Sequence, residues 1–144
     1  MSTLEHDHQR LQGPAEEVVV STVRLDDVLR DVARLDSIKC GVERHEDSVV
    51  EGATDLLREY TLTLVVELEY RHRGRLFDDV FERFTELGAH GYGVYKDGLC
   101  PAALFELEGD QLQWVECRDD VMPDGYVNDF VFATRDVNLR ALPA

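Results

Sequence analysis

Residues 60–71 read YTLTLVVELEYR, and this stretch decides the fold of the chain. Apolar side chains occupy every second position: Tyr60, Leu62, Leu64, Val66, Leu68 and Tyr70. The positions between them are polar except for Val65. Because successive side chains of a β-strand point to opposite faces, this alternation predicts a strand in a sheet with one buried face.

An amphipathic helix is predicted on each side of this strand. The helix that follows carries apolar residues at helical spacing: Leu76, Phe77, Val80, Phe81, Phe84 and Leu87. Gly88 comes directly after it, in the position where glycine commonly ends a helix. The helix that precedes the strand has a similar apolar stripe: Leu25, Val28, Leu29, Val32 and Leu35. Both helices are therefore expected to bury one face against the sheet.

The remaining predicted elements are mostly strands, which complete an α+β pattern. Strands are predicted at residues 16–24, 37–45, 91–95 and 126–134, and a hairpin at residues 102–117 that turns at Gly109-Asp110. Residues 46–58 are expected to form a loop that ends in a helical turn. The order predicts one mostly antiparallel or mixed sheet with two amphipathic helices packed on one face, and a ferredoxin-like arrangement is a candidate.

The chain has 144 residues, which corresponds to one domain. Residues 1–14 are polar and end in Gly13-Pro14, so they are predicted to form a flexible leader, and residues 15–144 a single α+β domain. The first residues lack the apolar segment of a signal peptide, and no apolar run is long enough to span a membrane. Three widely spaced cysteines, an odd number, are typical of a reducing compartment: Cys40, Cys100 and Cys117. We therefore expect a cytoplasmic protein that does not enter the membrane.

Acidic residues dominate the charge of the chain. Asp and Glu number 30 against 15 Lys and Arg, for a formal net charge of −15. This balance argues against a nucleic-acid partner and an anionic membrane surface, because both bind through Lys and Arg. Lys39 and Lys96 are the only lysines, so the composition resembles that of halophilic proteins, in which dense carboxylates keep the surface hydrated at high salt. The alternative is an acidic protein from a GC-rich genome that favours Arg codons.

One basic cluster stands out in this acidic chain. Arg71, Arg73 and Arg75 fall in the predicted turn between the long strand and the second helix. Guanidinium groups beside a helix N-terminus can bind a phosphate or carboxylate, so these residues are candidate ligands of a small anion. The alternative is that they pair with the acidic residues nearby, at Glu67, Glu69 and residues 78–79.

A second candidate pocket combines His90 with the cysteines. His90, Cys100 and Cys117 could meet as a nucleophilic or ligand-binding site if the fold brings them together. Their spacing matches no metal-binding pair, so we expect no metal, and free cysteines commonly act as small apolar core residues. No motif of a cofactor-binding loop is recognised either, so no cofactor is expected.

The aromatic residues suggest a partner surface. Phe130 and Phe132 share one face of the last predicted strand, and Val131 lies on the other. If both faces are apolar, one needs a cover that a second copy of the chain would provide. We therefore hypothesise a non-enzymatic domain that acts through protein–protein contacts, self-associating as a homodimer or another homo-oligomer. The alternative is a protein that binds, or an enzyme that acts on, a small anionic molecule through Arg71–Arg75 or the His90 pocket.

Overall fold

A five-stranded sheet organises the chain. A computed structural model describes residues 18–42, 45–70, 78–114 and 123–134. Its strands are β1 (Ser37–Cys40), β2 (Thr63–Glu67), β3 (His90–Tyr95), β4 (Gly98–Pro101) and β5 (Asp129–Ala133). They lie in the order β1-β2-β5-β3-β4, in which β1 and β2 are parallel and every other neighbouring pair is antiparallel. The predicted mixed α+β fold is confirmed.

Short helices connect the strands. They are α1 (Leu25–Val28), α2 (Glu46–Gly52), α3 (Thr54–Glu59), α4 (Asp78–Glu86) and α5 (Leu107–Asp110), together with 3₁₀ turns at Ala102–Leu104 and Leu112–Trp114. The predicted helix after β2 is thus present as α4, whereas the first predicted helix is reduced to the single turn of α1. Neither a ferredoxin-like arrangement nor the packing of two helices on one face is confirmed. The predicted leader lies outside the described residues.

The core forms around alternate residues of β2 and β5. Leu64 lies opposite Phe132 and Val66 opposite Phe130, and all four side chains are buried. Phe84 of α4 stacks on Phe132, with ring centroids 3.9 Å apart and planes at 18°. The same cluster includes Val50 of α2, Leu57 of α3 and Ala53 between the two helices. Since each fully buried apolar side chain of this size contributes about 1.5–3 kcal/mol, this cluster is the main source of stability.

Two of the predicted β segments are wrong. Residues 18–24 have no regular structure, and valines in this run are exposed, Val19 by 82%. β-branched residues favour strands only where a neighbouring strand pairs with them, and no described strand pairs with this segment. The predicted hairpin at 102–117 is also absent: residues 102–114 form short helical turns, and residues 115–117 lie outside the described part.

The polar run at 46–58 is another correction, because it forms α2 and α3 instead of a loop. The two helices meet at Ala53, which is buried and closes α2 by donating its N–H to the carbonyl of Val50. The hydroxyl of Thr54 donates to the same carbonyl. Buried Leu56 and Leu57 then anchor α3, so tertiary burial overrides the weak local helix signal.

Gly88 ends α4 as predicted. Its φ is +75°, and its N–H donates to the carbonyl of Thr85. The N–H of Ala89 donates to the carbonyl of Phe84, which completes a Schellman motif. A Cβ at Gly88 would meet no atom within 4 Å, so only the backbone conformation favours glycine here.

The first prediction concerns this helix end. Gly88→Ala should lower the free energy of unfolding by about 1 kcal/mol, because an L-residue with a side chain is strained at positive φ. Gly109→Ala is the matched control, since a Cβ there also meets no atom within 4 Å and Gly109 lies within α5. Urea unfolding of both variants measures the difference. A Gly88→Ala variant as stable as the Gly109→Ala variant would contradict the assignment.

Candidate functional site

The carboxyl ends of β1 and β2 meet at one edge of the sheet. Because the two strands are parallel, β1 leads into Gly41 at the edge where β2 ends at Glu67. β5 runs in the opposite direction and begins at the same edge with Asp129, which lies opposite Glu67. Ligands of open sheets with parallel strands bind outside the carboxyl ends of those strands. This edge is therefore the first place to look for a functional site.

Two glutamates at this edge are held by one asparagine. The side-chain amide of Asn128 donates to Oε1 of Glu67 at 3.2 Å and to Oε1 of Glu69 at 3.0 Å. Glu69 is only 4% exposed, whereas Glu67 is half-buried. A buried carboxylate needs hydrogen-bond donors to replace water. Asn128 supplies one to Glu69 and at the same time orients Glu67.

Gly41 leaves the space in which the Glu67 carboxylate lies. A Cβ at Gly41 would approach Oε2 of Glu67 to 3.1 Å, which is closer than an ordinary contact. The other oxygen, Oε1, is the one that Asn128 holds. Beside it, the buried Oδ1 of Asp129 has no hydrogen-bond partner among the described residues. The edge thus presents carboxylate oxygens that can accept hydrogen bonds.

A buried glutamine fixes the backbone around this cluster. Gln111 is 1% exposed, and its amide donates to the carbonyls of Leu68 and Val127, both at 2.7 Å. Its Oε1 accepts the N–H of Tyr70 at 2.8 Å. The N–H of Leu68 in turn donates to the carbonyl of Asn128 at 2.7 Å. These bonds tie the chain after β2 to the chain before β5 and so set the positions of the two glutamates.

The second prediction tests this glutamine. Gln111→Leu should lower the free energy of unfolding by about 3 kcal/mol, because it leaves a buried N–H and two buried carbonyls without their partner. Gln113→Leu is the matched control: its side chain is exposed and bonds only to the carbonyl of Gly109. We expect the control to lose less than about 0.5 kcal/mol in urea unfolding. Equal losses in the two variants would refute the positioning role.

The sequence-predicted basic cluster lies outside the described residues. This applies to Arg71, Arg73 and Arg75, so their role in anion binding stays a prediction. His90 is described: it begins β3 and is exposed. It lies opposite Ala133 of β5.

The structure does not bring His90 and Cys100 to one pocket. Cys100 of β4 lies opposite Gly93, three residues along β3 from His90. Because side chains alternate along a strand, an odd separation places His90 and Cys100 on opposite faces of the sheet. Cys117 lies outside the described residues.

Cys100 instead borders a small cavity of about 310 Å³ beside Tyr95 and Asp110. The hydroxyl of Tyr95 donates to Oδ2 of Asp110 at 2.8 Å. Burial and this hydrogen bond to a carboxylate both raise the pKa of Tyr95 above its usual value. Tyr95 therefore stays protonated at neutral pH, and it acts as a donor that anchors the turn of α5.

Cys40 is a core residue, as expected for a free cysteine. It is buried, and burial together with the nearby Glu46 carboxylate raises the pKa of its thiol to about 11. A thiol with this pKa is almost entirely un-ionised at neutral pH, so it is a poor nucleophile.

The third prediction follows from this pKa. At pH 8 the Cys40 thiol should react with iodoacetamide roughly a hundredfold more slowly in the folded than in the urea-unfolded protein, where an ordinary cysteine has a pKa of about 8.5. Mass spectrometry of the Cys40 peptide over time measures this rate. Half-exposed Cys100 is the internal comparison and should react faster than Cys40 in the folded protein. Equal rates for the two would contradict the burial of Cys40.

Two classes of site find no support in the described part of the chain. Across residues 18–42, 45–70, 78–114 and 123–134, no group of three or more His, Cys, Asp or Glu side chains is arranged to hold a metal ion. In the same ranges, no helix combines the length and the apolar character that crossing a membrane requires.

Sequence reasoning missed the carboxylate edge. Glu67 and Glu69 are visible as two acids at the end of the clearest strand, but the alternation of residues 60–71 predicts that they lie on the polar face, opposite the buried one. The burial of Glu69 and the bonds from Asn128 depend on the pairing of β2 with β5. The one available signal was the position of two carboxylates directly after a buried strand.

Comparison with known proteins identifies a family that this chain matches. A model of the methyltransferase FkbM domain matches residues 1–93, which is more than half of the chain. The matched range includes β1, β2, Gly41 and both glutamates of the edge. Searches of curated proteins and of solved structures gave no match.

Proposed function

The chain belongs to the methyltransferase FkbM domain family, and we propose that it is a methyltransferase-like enzyme with its reaction site at the carboxyl edge of β1 and β2. The family match over residues 1–93 carries this proposal. The geometry of the edge supports it, because Glu67 lies there half-buried and oriented by Asn128.

This corrects the sequence-based hypothesis of an uncharacterised, non-enzymatic domain that acts through protein–protein contacts. The family match overturns it and favours the alternative of a protein that acts on a small molecule. The error came from the absence of a contiguous catalytic motif. Self-association and adaptation to high salt are tested by none of these observations.

Methyl transfer requires a nucleophile, and it also requires a base where the attacking atom carries a proton. A lone pair of the acceptor forms a bond to the methyl carbon while the bond between that carbon and the donor's leaving atom breaks, and its electrons go to that atom. When bound, a sulfonium donor would supply the methyl group and leave as a neutral thioether. If the acceptor is a hydroxyl, its proton must go to a base within hydrogen-bond reach.

Glu67 is the residue that we assign as this base. Asn128 occupies its Oε1, and Oε2 lies on the side of Gly41. Glu69 is a positioning residue, since it shares the same asparagine but is itself buried. Carboxylates at this edge also suit a positively charged donor, and the unpartnered Oδ1 of Asp129 can accept a hydrogen bond from it. The residues present therefore fit a cationic methyl donor.

The basic cluster of the sequence analysis has a proposed role in binding the acceptor. Arg71 follows Glu69 by two residues in the sequence, so Arg71, Arg73 and Arg75 come directly after the carboxyl end of β2. We propose that they bind an anionic group of the acceptor. We also propose that His90 contacts a ligand. Cys100 has no part in this contact, because it lies on the other face of the sheet.

The fourth prediction tests the assigned base. S-adenosylmethionine labelled in its methyl group is incubated with the protein and a panel of sugar, phenol and hydroxy-acid acceptors. At saturating S-adenosylmethionine, Glu67→Gln should lower the rate of transfer by about 10²–10⁴-fold, because a general base contributes this much. Glu82→Gln, an exposed acid of α4, is the matched control and should transfer at the wild-type rate.

Two outcomes would overturn the proposal. If Glu67→Gln transfers as fast as the wild type, Glu67 is not the base. If the wild-type chain neither binds S-adenosylmethionine nor transfers its methyl group to any acceptor, the enzymatic proposal is wrong.

A further inference from the structure

A large cleft lies beside β1, and its lining residues differ from those of the carboxylate edge. Its volume is about 870 Å³, and residues 22–25, β1 and α2 form its walls. Six of the thirteen described lining residues have apolar side chains: Val23, Leu25, Ile38, Cys40, Val42 and Val49. Clefts of 300–1,000 Å³ with mainly apolar walls are typical of small-molecule sites. The volume thus suits a ligand with a substantial apolar body.

The cleft holds two cations in a strongly acidic chain. Among the described residues of its lining, Arg24 and Lys39 are basic and Glu51 is acidic, and His45 adds a ring that can donate a hydrogen bond. The chain as a whole has a net charge of −15 and only two lysines. One of those two lysines lines this cleft. Lys39 therefore brings to this cleft a positive charge that is scarce in the chain.

Arg24 is held at the cleft by specific bonds. Its guanidinium donates to Oδ2 of Asp26 at 3.0 Å and to the carbonyl of Glu51 at 3.1 Å. The second bond ties residues 22–25 to α2 across the cleft. Because Asp26 already balances the charge of Arg24, Lys39 is the cation left to pair with a ligand. Lys39 is exposed, and no described residue forms an ion pair with it.

The edge of β1 adds polar groups to the cleft. β1 is the first strand of the sheet order, so within the described ranges it pairs only with β2. Its backbone groups on the other side are not used by another strand and can bond to a polar head group or to water. An apolar cavity with a few polar groups at one side is the arrangement that orients a small ligand.

We propose that this cleft binds an organic anion with an apolar body, such as a medium-chain carboxylate, whose head group pairs with Lys39. The apolar walls hold the body, and the basic residues select the charge. The inference does not depend on methyl transfer, because the cleft is lined by different residues from the carboxylate edge and binding needs no methyl donor.

The test compares three probes that share one apolar chain. Decanoate, decanol and decyltrimethylammonium are titrated separately into the protein by calorimetry, each below its micelle concentration. We expect decanoate to bind most tightly and the ammonium probe most weakly. Lys39→Gln should weaken decanoate binding about threefold to tenfold and leave decanol binding unchanged.

The second lysine provides the matched control. Lys96 lies in the turn between β3 and β4 and pairs with Asp124, so Lys96→Gln removes the same charge elsewhere. It should leave decanoate binding unchanged. Val42→Glu places a carboxylate at an exposed part of the cleft lining. Because this carboxylate repels an anion, the variant should weaken the binding of decanoate more than the binding of decanol. Circular dichroism confirms that each variant is folded.

Several results would overturn the inference. If none of the three probes binds, the cleft is not a binding site for such ligands. If decanoate and the ammonium probe bind equally well, the cleft does not select an anion. The same conclusion follows if Lys39→Gln and Lys96→Gln change decanoate binding equally. None of these results bears on the transfer assay with Glu67→Gln, so the two proposals can fail separately.

Discussion

The pairing of β2 with β5 is the interaction on which the rest of the structure depends. β2 lies between a parallel neighbour, β1, and an antiparallel one, β5, which comes more than 60 residues later in the chain. Bringing such distant segments together costs conformational entropy, although this cost grows slowly with the length of the loop. Burial offsets it, because the pairing places Phe130 and Phe132 against α4.

The same pairing creates the carboxylate edge. The register sets Asp129 opposite Glu67, and the preceding residue, Asn128, then reaches both glutamates. Gln111 reinforces this arrangement by bonding to the backbone on each side of it. A shift of the register by one residue would turn the side chains of β5 to the other face and would dismantle both the core and the site. The core and the candidate site therefore depend on the same register.

The elements that the sequence predicts well are those with a strong local pattern. The alternation in residues 60–71 gives β2, and the apolar stripe with Gly88 gives α4 and its end. The predicted valine-rich strand is absent at residues 18–24 because a strand also needs a neighbour, which local propensity does not supply. The predicted hairpin is absent at residues 102–114 for a related reason: this segment forms helical turns in which Asp110 and Gln111 bond to residues outside it.

The candidate site was harder to predict than the fold. Glu67 and Glu69 can be read from the sequence, but the asparagine that holds them is about 60 positions away. Gln111 bonds to Tyr70 from 41 residues away. Both partnerships depend on strand register, and no spacing in the sequence encodes it. A search for contiguous motifs therefore leads to the conclusion that there is no enzyme, even in a chain that matches a methyltransferase family.

The net charge of the chain is likewise a poor guide to the charge of the ligand that a single site prefers. The total of −15 describes the field far from the protein, where all charges contribute. At physiological salt, charges are screened beyond about 8 Å, so a bound ligand responds mainly to the residues that touch it. The two proposed sites, the carboxylate edge and the cleft lined by Lys39, would accordingly prefer ligands of opposite sign within one small domain. The charge that matters for recognition is set by the fold, which decides which few side chains share a cavity.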